Sequence, residues 1–225
     1  MFRFFKSGDI KMKRSAYYIS IEGVIGVGKT SLAKILSDKL NSKLILEKFE
    51  TNPFLEDFYK DKKHFAFQTQ IYFLLSRFRQ QMDLFQTDMF HKNIITDYMF
   101  IKDKLFAYLN LNDKELKLYD ELLKLLIKQI PKPDLAIYLQ SGTDRLMKNI
   151  HQRNRSFESN IKKKYIESLN QMYNQYFFNY NETPLLIINT TEIDFVNNED
   201  DLNEILKYIQ QPPTGTKLYN PKQEK

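Results

Sequence analysis

The strongest constraint on the fold is an eight-residue loop with a strand pattern before it and a helix pattern after it. Gly23–Thr30 reads Gly-Val-Ile-Gly-Val-Gly-Lys-Thr and satisfies the pattern G-x-x-x-x-G-K-[ST]. The apolar run Tyr18–Glu22 leads into the loop, and Ser31–Leu40, with apolar residues three and four apart, leads out of it. Of the 6 glycines in the chain, 3 lie in this loop. A chance match in such a setting is rare, so the loop predicts a phosphate-binding turn.

The residue types of this loop indicate which ligand it binds. Glycines allow backbone N–H groups to converge on phosphate oxygens at the N-terminus of the following helix. Lys29 offers a positive charge to the β- and γ-phosphates, and Thr30 offers a hydroxyl group to Mg²⁺. We therefore predict that ATP and Mg²⁺ are the cofactors. The predicted ATP-binding residues of the loop are Gly23, Val24, Ile25, Gly26, Val27, Gly28, Lys29 and Thr30.

Short apolar runs alternate with longer helical patterns along the chain. Helical patterns such as Leu116–Ile130, which stops at Pro131, separate these runs. Continuous apolar strands that alternate with helices predict a parallel sheet covered on both faces. We expect an α/β, P-loop NTPase-like three-layer fold with a five-stranded parallel sheet, flanking helices and an arginine-rich lid. The predicted strands are Tyr17–Glu22, Lys43–Glu47, Asn93–Asp97, Asp134–Gln140 and Leu185–Asn189.

The length of 225 residues suits one α/β domain, and no linker divides the chain. Residues 1–15 are expected to be a flexible N-terminal extension, and 16–210 the catalytic domain. The first segment lacks the apolar core of a secretory signal, although organelle targeting stays open. Residues 211–225, with Pro212, Pro213 and Gly215 among polar residues, are expected to be a flexible C-terminal tail.

Composition narrows the setting and the partners. The chain has no cysteine, which excludes disulfides, zinc–cysteine sites and thiol catalysis, and it has no apolar run of roughly 18–20 residues. We expect a cytoplasmic protein with no membrane partner. The formal net charge of +6 has two interpretations, a lysine-rich solubilising surface or attraction to a polyanion. Nucleotide phosphates are sufficient for the second interpretation, so we expect no nucleic-acid partner.

Acidic residues follow two predicted strands, where ligands bind in open parallel sheets. Glu47 and Asp97 are therefore candidate site residues, although an acid in this position can also simply cap a helix. Arg153 and Arg155, at alternate positions in a turn, can both reach γ-phosphate oxygens and form a lid, or they form an exposed basic turn. GTPase signatures Asp-x-x-Gly and Asn-Lys-x-Asp are absent, so a kinase acting on a small acceptor is favoured.

Four separated segments resemble the deoxynucleoside kinase family, especially its bacterial and purine-leaning members. They come in the family's order and at similar spacing, and the resemblance covers roughly Tyr17–Ile209. It implies phosphorylation of a deoxynucleoside at its 5′-hydroxyl by ATP, and a homodimer as the assembly. The matching segments are Gly23–Thr30, Glu47–Tyr59, Phe67–Arg79 and Arg153–Glu158.

The resemblance also implies roles for the acceptor residues. Glu47 matches the acid that accepts the proton of the 5′-hydroxyl, a role that suits a carboxylate at a strand end. Tyr59 and Glu158 match the pair that grips the 3′-hydroxyl, and Glu158 could otherwise form a salt bridge within the lid. The expected catalytic residues are Glu47, Lys29, Arg153 and Arg155.

Base recognition is implied in the same way. Gln70 matches a glutamine that reads the base through a paired donor and acceptor, and Arg77 lies two helical turns further on the same face. Asp103 matches an acid that pairs with this arginine near the exocyclic group of the base. Such a pair favours bases with an amino group, so we expect deoxyadenosine, with deoxycytidine and deoxyguanosine still open. Phe106 either stacks on the base or packs in the core.

The chain departs from the family pattern in two places that matter. The family has arginine and a small hydroxyl residue after the third-strand acid, but here Tyr98 and Met99 follow Asp97. Asp97 can still hold Mg²⁺ together with Thr30. An arginine one turn before the lid pair is replaced by Asn149, with Lys148 or Arg145 as candidates to compensate.

Two other functions remain as alternatives. A nucleoside monophosphate kinase, such as a thymidylate kinase, shares the loop and the lid but needs an arginine for the acceptor phosphate, and position 98 lacks it. A non-catalytic nucleotide-binding or nucleic-acid-binding protein would need its basic residues clustered on one face. For the homodimer, Phe73–Phe85 and Leu116–Ile130 are apolar enough to form an interface, and burial within one subunit explains them equally well.

Overall fold

The structure is a computed structural model that describes residues 17–84 and 93–221. The expected N-terminal extension, residues 1–15, lies outside the described residues. Within them, no helix has both the length and the apolar character needed to cross a membrane.

A parallel sheet with strand order β2-β3-β1-β4-β5-β6 forms the centre of the molecule. All five predicted strands are present: four start at the predicted residue and one starts a residue later, and their ends agree to within two residues. All strand pairs are parallel, as the alternation of strands and helices predicts. The strands are β1 (Tyr17–Gly23), β2 (Lys43–Ile45), β3 (Asn93–Thr96), β4 (Leu135–Gln140), β5 (Leu185–Asn189) and β6 (Thr216–Tyr219).

The prediction of five strands is wrong, because β6 adds a sixth. It pairs with β5 in parallel, with Leu185 opposite Thr216 and Ile188 opposite Tyr219. This strand lies inside the stretch expected to be a flexible tail. It is a short edge strand with largely exposed side chains, so it carries no continuous apolar run by which a buried strand is recognised.

Eight α-helices and three 3₁₀ turns connect the described strands. The predicted helix 116–130 is present as α5 followed by a 3₁₀ turn, and it starts earlier because Asn112 and Glu115 form a capping box. The helices are α1 (Lys29–Lys39), α2 (Leu55–Lys60), α3 (Lys62–Met82), α4 (Lys102–Asn110), α5 (Asp113–Leu126), α6 (Thr143–Arg153), α7 (Lys163–Phe178) and α8 (Glu199–Gln210). The 3₁₀ turns are Phe49–Thr51, Ile127–Gln129 and Ser156–Glu158.

The two central strands are buried on both faces, which makes the fold three-layered. Successive residues of β4, Leu135–Leu139, are at most 1% exposed although they point alternately to opposite faces. On one face, the ring of Tyr138 stacks on Phe177 of α7, with ring centres 4.2 Å apart. The central sheet is therefore a rigid base for the loops at its carboxyl end.

The order of the strands creates a crevice at that end. In the sheet, β3 and then β2 lie on one side of β1, whereas β4, β5 and β6 lie on its other side. Ligands in open parallel sheets bind at such a switch point. The loop Gly23–Gly28 leaves β1 here, and Glu47 and Asp97 follow β2 and β3 at the same edge.

Candidate active site

The phosphate-binding loop has the backbone conformation that its glycines permit. Gly26 and Gly28 have φ values of 87° and 102°, and Gly28 is the N-cap of α1. Lys29 bends back along the loop, where its Nζ donates to the carbonyl oxygens of Gly23 (2.7 Å) and Val24 (3.1 Å). Burial lowers the pKa of Lys29 to about 8, and a neighbouring lysine acts in the same direction. The loop is therefore a compact, positively charged turn at a helix N-terminus, as expected for phosphate.

The two predicted Mg²⁺ ligands lie side by side. The Oγ1 of Thr30 donates to Oδ2 of Asp97 (2.5 Å), and the other oxygen of Asp97 accepts the backbone N–H of Glu47 (2.8 Å). Among the described residues, no group of three or more histidine, cysteine, aspartate or glutamate side chains could hold a metal alone. A hydroxyl and one carboxylate suit Mg²⁺, which takes its other ligands from phosphates and water.

Glu47 lies between two cations, and sequence reasoning missed one of them. Arg77 donates from Nη2 (2.5 Å) and Nε (3.0 Å) to Oε1 of Glu47, and Nζ of Lys102 donates to Oε2. Burial alone would raise the pKa of Glu47, but the charges of Lys102 and Arg77 outweigh burial and hold the pKa well below its usual range. Glu47 is therefore ionised at neutral pH and aims its carboxylate at the crevice.

An open cavity next to Glu47 is lined by most of the predicted acceptor residues. Gln70 lines it with a buried Oε1 that has no hydrogen-bond partner among the described residues. The predicted residues on the cavity wall are Ile25, Lys29, Thr30, Glu47, Tyr59, Gln70, Arg77, Asp97, Phe106, Arg153, Arg155 and Glu158.

Asp103 forms the expected pair with Arg77 but lies behind it. The carboxylate accepts from Arg77 Nη1 and is fully buried, and it is not on the cavity wall. Its second oxygen accepts from the hydroxyl of Tyr119 (2.9 Å), a residue of α5 that sequence reasoning missed. Burial raises the pKa of Asp103 to about 6 against the opposing charge of Arg77. Asp103 and Tyr119 thus orient Arg77 and do not line the cavity themselves.

The lid arginines are arranged around Glu158. Helix α6 ends at Arg153 because Asn154 takes a left-handed conformation (φ 49°). Arg153 donates from Nη2 to both oxygens of Glu158 (2.7 Å each), and Arg155 lies 3.5 Å from the same carboxylate. The guanidinium of Arg155 also stacks over Phe49 at 4.3 Å. Glu158 therefore takes part in a salt bridge within the lid and also lines the acceptor cavity.

Phe49 and Phe157, which sequence reasoning missed, form an aromatic wall of the cavity together with the predicted Tyr59. Phe157 stacks on Tyr59, with ring centres 6.0 Å apart, and lies 5.9 Å from Phe49. The predicted Phe106 packs edge-on against Tyr173, with centres 6.4 Å apart, while it also lines the cavity. Several aromatic side chains on the wall make the cavity suitable for a flat ring.

A second cavity lies on the other side of the phosphate-binding loop. It is lined by the loop, by Arg145 and by Asn149, whereas Lys148 is exposed and is not part of it. The amide of Asn149 donates to the carbonyl oxygen of Gly26 (2.8 Å), which ties α6 to the loop. Both cavities share Lys29, Thr30, Arg153 and Arg155. Two ligands in these cavities would therefore meet at the loop and the lid.

Comparison with known proteins agrees with this geometry. A family model described as deoxynucleoside kinase matches residues 19–212. The chain is 34% identical over 204 residues to a deoxyguanosine kinase of Bacillus subtilis, covering 88% of this chain and 98% of that one. It is 34% identical over 207 residues to a deoxyadenosine kinase of Lactobacillus acidophilus, covering 86% and 94%.

Solved structures agree as well. The structure of deoxyadenosine kinase from M. mycoides with bound dCTP has a TM-score of 0.75 at 26% identity, covering 86% of this chain and 99% of that chain. The same enzyme with bound dATP also has a TM-score of 0.75, at 27% identity. The match in sequence extends across the loop, both cavities and the lid, and the fold agrees over the same length, so the chain belongs to the deoxynucleoside kinase family.

Proposed function

We propose that this deoxynucleoside kinase transfers the γ-phosphoryl group of ATP to the 5′-hydroxyl of a deoxynucleoside and prefers deoxyadenosine. The observation that carries the proposal is the meeting of the two cavities at Lys29, Thr30, Arg153 and Arg155. Phosphoryl transfer requires donor and acceptor to approach in line at one point, in a site that cations line and a lid covers. The carboxylate of Glu47 lies on the acceptor side of this point.

On the donor side, the loop and the lid would hold the triphosphate. The N–H groups of the loop and Lys29 would bind the β- and γ-phosphates, and Lys29 would exchange its present carbonyl partners for phosphate oxygens. Thr30 and Asp97 would hold Mg²⁺, which neutralises developing charge on the phosphates. Arg153 and Arg155 would leave Glu158 in part to contact the transferring group.

On the acceptor side, Glu47 would accept the proton of the 5′-hydroxyl. A hydroxyl group is a poor nucleophile, and a fixed carboxylate next to it promotes attack as the proton leaves. The carboxylate is bonded to Arg77 and Lys102, so its position is fixed, although these charges also make it a weak base. Such a base suits a loose transition state, in which the proton is transferred late.

The polar groups at the far end of the cavity support a preference for adenine. Gln70 offers an unpartnered buried carbonyl oxygen and an amide N–H₂ group, which can bond bidentately to the N6/N7 edge of adenine. Tyr59, stacked on Phe157, would lie along the deoxyribose and exclude a 2′-hydroxyl, while Glu158 would accept from the 3′-hydroxyl. Deoxycytidine and deoxyguanosine remain as secondary acceptors in this proposal.

An assay of the purified protein with ATP–Mg²⁺ and each of deoxyadenosine, deoxyguanosine, deoxycytidine and thymidine tests the proposal. We expect deoxyadenosine to give the highest kcat/KM, and we expect the rate to fall to background when the divalent cation is chelated. Glu47→Gln keeps the shape of the side chain but removes its basicity, so kcat should fall by about 100-fold or more. Phosphorylation of nucleoside monophosphates but of no nucleoside would instead support the monophosphate kinase alternative.

We also propose that the protein is a homodimer in the cytoplasm that needs no nucleic-acid or membrane partner. Exposed apolar side chains on two helices that pack on one another support the dimer, namely Leu75 and Met82 on α3 and Leu118 and Leu125 on α5. A mass measurement by light scattering that gives one subunit at micromolar concentration would contradict the dimer.

A further inference from the structure

Lys102 is a buried cation in the acceptor cavity that no motif of the sequence indicates. It is the first residue of α4, its side chain is 9% exposed, and it lines the cavity next to Lys29 and Glu47. Removal of an ammonium group from water is costly, so a lysine in this position needs a partner or a ligand. Glu47 is the only carboxylate within ion-pair distance of Lys102 among the residues that the structure describes.

The position of Lys102 relative to the phosphate-binding loop is fixed by another carboxylate. Glu22, at the end of β1, accepts the backbone N–H of Gly23 (2.9 Å) and that of Met99 (2.8 Å). The turn before α4 is therefore fastened to the first residue of the loop. The ammonium of Lys102 also lies 5.7 Å from the ring centre of Phe106, one helical turn further along. Rigid elements thus hold Lys102 close to the point where phosphoryl transfer would occur.

The two cations on Glu47 differ in their freedom to move. Arg77 is bonded to Glu47 and to the fully buried Asp103 at once, and the planar guanidinium group cannot leave one carboxylate without disturbing the other. Within the described part of the chain, the ammonium of Lys102 is bonded to one carboxylate oxygen, Oε2 of Glu47, and its four-carbon stem carries a compact group with three rotatable donors. Lys102 can therefore shift by a small rotation, whereas Arg77 is held in place.

No side chain at the position after Asp97 supplies a cation to the acceptor. Tyr98 is fully buried, and its hydroxyl donates to Oε1 of Gln80 (2.8 Å), so it does not line the cavity. Of the cations on the cavity wall, Lys29 belongs to the phosphate-binding loop, and the lid arginines are paired with Glu158. Arg77 and Lys102 both touch the carboxylate expected to bind the 5′-hydroxyl, but Arg77 is also held by Asp103, so Lys102 is the cation that can turn to the acceptor.

We propose that Lys102 is a catalytic residue whose ammonium moves from Glu47 to the 5′-oxygen of the acceptor and to the transferring phosphoryl group. This inference rests on the proposed function. In the step, the O–H bond of the 5′-hydroxyl breaks and its proton passes to Oε2 of Glu47. The 5′-oxygen forms a bond to the γ-phosphorus, and the bond to the bridging oxygen breaks with its electron pair going to ADP. Lys102 keeps its three protons and stabilises the negative charge on the 5′-oxygen and on the transferring phosphoryl group.

Three variants of the full chain, measured with ATP–Mg²⁺ and deoxyadenosine, test this role. Lys102→Met removes the charge at nearly constant length, Lys102→Arg keeps the charge, and Lys104→Met is the matched control. Lys104 lies on the same helix but its ammonium faces the ring of Tyr108 at 5.2 Å, outside the cavity. For each variant, kcat, the KM for deoxyadenosine, the dissociation constant for ATP and the thermal midpoint would be measured.

We expect Lys102→Met to lower kcat by about 100-fold, the usual effect of removing one group that stabilises transition-state charge. ATP affinity should change by less than about threefold, because Lys102 does not line the donor cavity. The kcat of Lys102→Arg should be at least about tenfold higher than that of Lys102→Met. Lys104→Met should have the kcat of the wild-type protein. A kcat for Lys102→Met within about threefold of the wild-type value would overturn the catalytic role of Lys102 and leave the proposed function standing. If the wild-type protein phosphorylated no deoxynucleoside, the proposed function would be overturned as well.

Discussion

Arg77 links the two chemical tasks of the acceptor cavity. Its guanidinium contacts Glu47, the proposed proton acceptor, and Asp103, which lies behind the end of the cavity where the base would bind. Five donors in a rigid fork allow one arginine to bond to both carboxylates, which a lysine with its point charge could not do with the same geometry. The position of the base-reading end is therefore coupled to the position of Glu47. A substitution of Arg77 that changes the base preference should therefore also reduce the rate of phosphoryl transfer.

A substitution of Gln70 tests whether this residue recognises the base. We expect Gln70→Leu to raise the KM for deoxyadenosine by about tenfold to 100-fold, because the bidentate bonds of the buried amide to the base would be lost. The KM for ATP should stay within about twofold, since Gln70 does not line the donor cavity. Gln68→Leu, an exposed residue of the same helix, is the control. Equal KM values for deoxyadenosine in the two variants would contradict base recognition by Gln70.

At the scale of elements, the contact between the phosphate-binding loop and α6 couples ATP binding to the lid. A Cβ atom at Gly26 would lie 2.8 Å from the carbonyl oxygen of Leu146 and 2.9 Å from Cγ1 of Ile150, and the φ of 87° is unfavourable for other residues. Asn149 bonds to the carbonyl oxygen of the same glycine. The lid helix therefore packs so closely on the loop that only a residue without a side chain fits.

We accordingly expect Gly26→Ala to weaken ATP binding by at least about tenfold and to destabilise the protein by about 1–3 kcal/mol, from strain in the loop and displacement of α6. Isothermal titration with ATP and urea unfolding would measure the two effects. Gly215→Ala is the matched control, because a Cβ atom there meets nothing within 4 Å. If both variants bound ATP equally well, the loop would tolerate a side chain at position 26 and the close contact would carry no functional weight.

Most of the strands and the loop were predictable because their signals are local. β5 has the predicted bounds Leu185–Asn189, since a continuous apolar run between polar residues identifies a strand that is buried on both faces. Residues 216–219 gave no such signal. An edge strand needs only backbone pairing, and its exposed side chains, among them Lys217, do not differ from those of a polar tail. The sixth strand can therefore be identified from its pairing with β5 in the structure, and not from its own sequence.

The site shows the same limit. Residues that belong to motifs, such as Lys29 and Gln70, were placed in the cavities where the sequence predicted them. Lys102 and Tyr119 were missed because lysine is usually exposed and tyrosine on a helix usually packs in the core. Their roles come from partners 55 and 16 residues away along the chain, Glu47 and Asp103.

At the scale of the whole molecule, β6 is one edge strand of the sheet, and β2, which leads to Glu47, is the other. β5 is 0% exposed at Leu185, Leu186 and Ile188, and β6 supplies backbone partners from Leu185 to Ile188. The C-terminal segment also packs Tyr219 against Tyr208 of α8, with ring centres 5.2 Å apart. The segment thus protects an edge that would otherwise be apolar and unpaired, the kind of edge that pairs with other chains.

Two truncations separate the contribution of β6 from that of the residues after it. A chain that stops after Gln211 lacks β6, and we expect its thermal midpoint to fall by about 5 °C or more, with aggregation on heating. The loss of several buried backbone pairs and of the contact with Tyr208 would cost about 2 kcal/mol, which corresponds to a shift of this size for a domain of this length. A chain that stops after Pro221 keeps β6 and should melt with the full chain. Scanning calorimetry and light scattering on the two truncated chains would measure both effects, and equal midpoints would mean that the sheet is stable without its sixth strand.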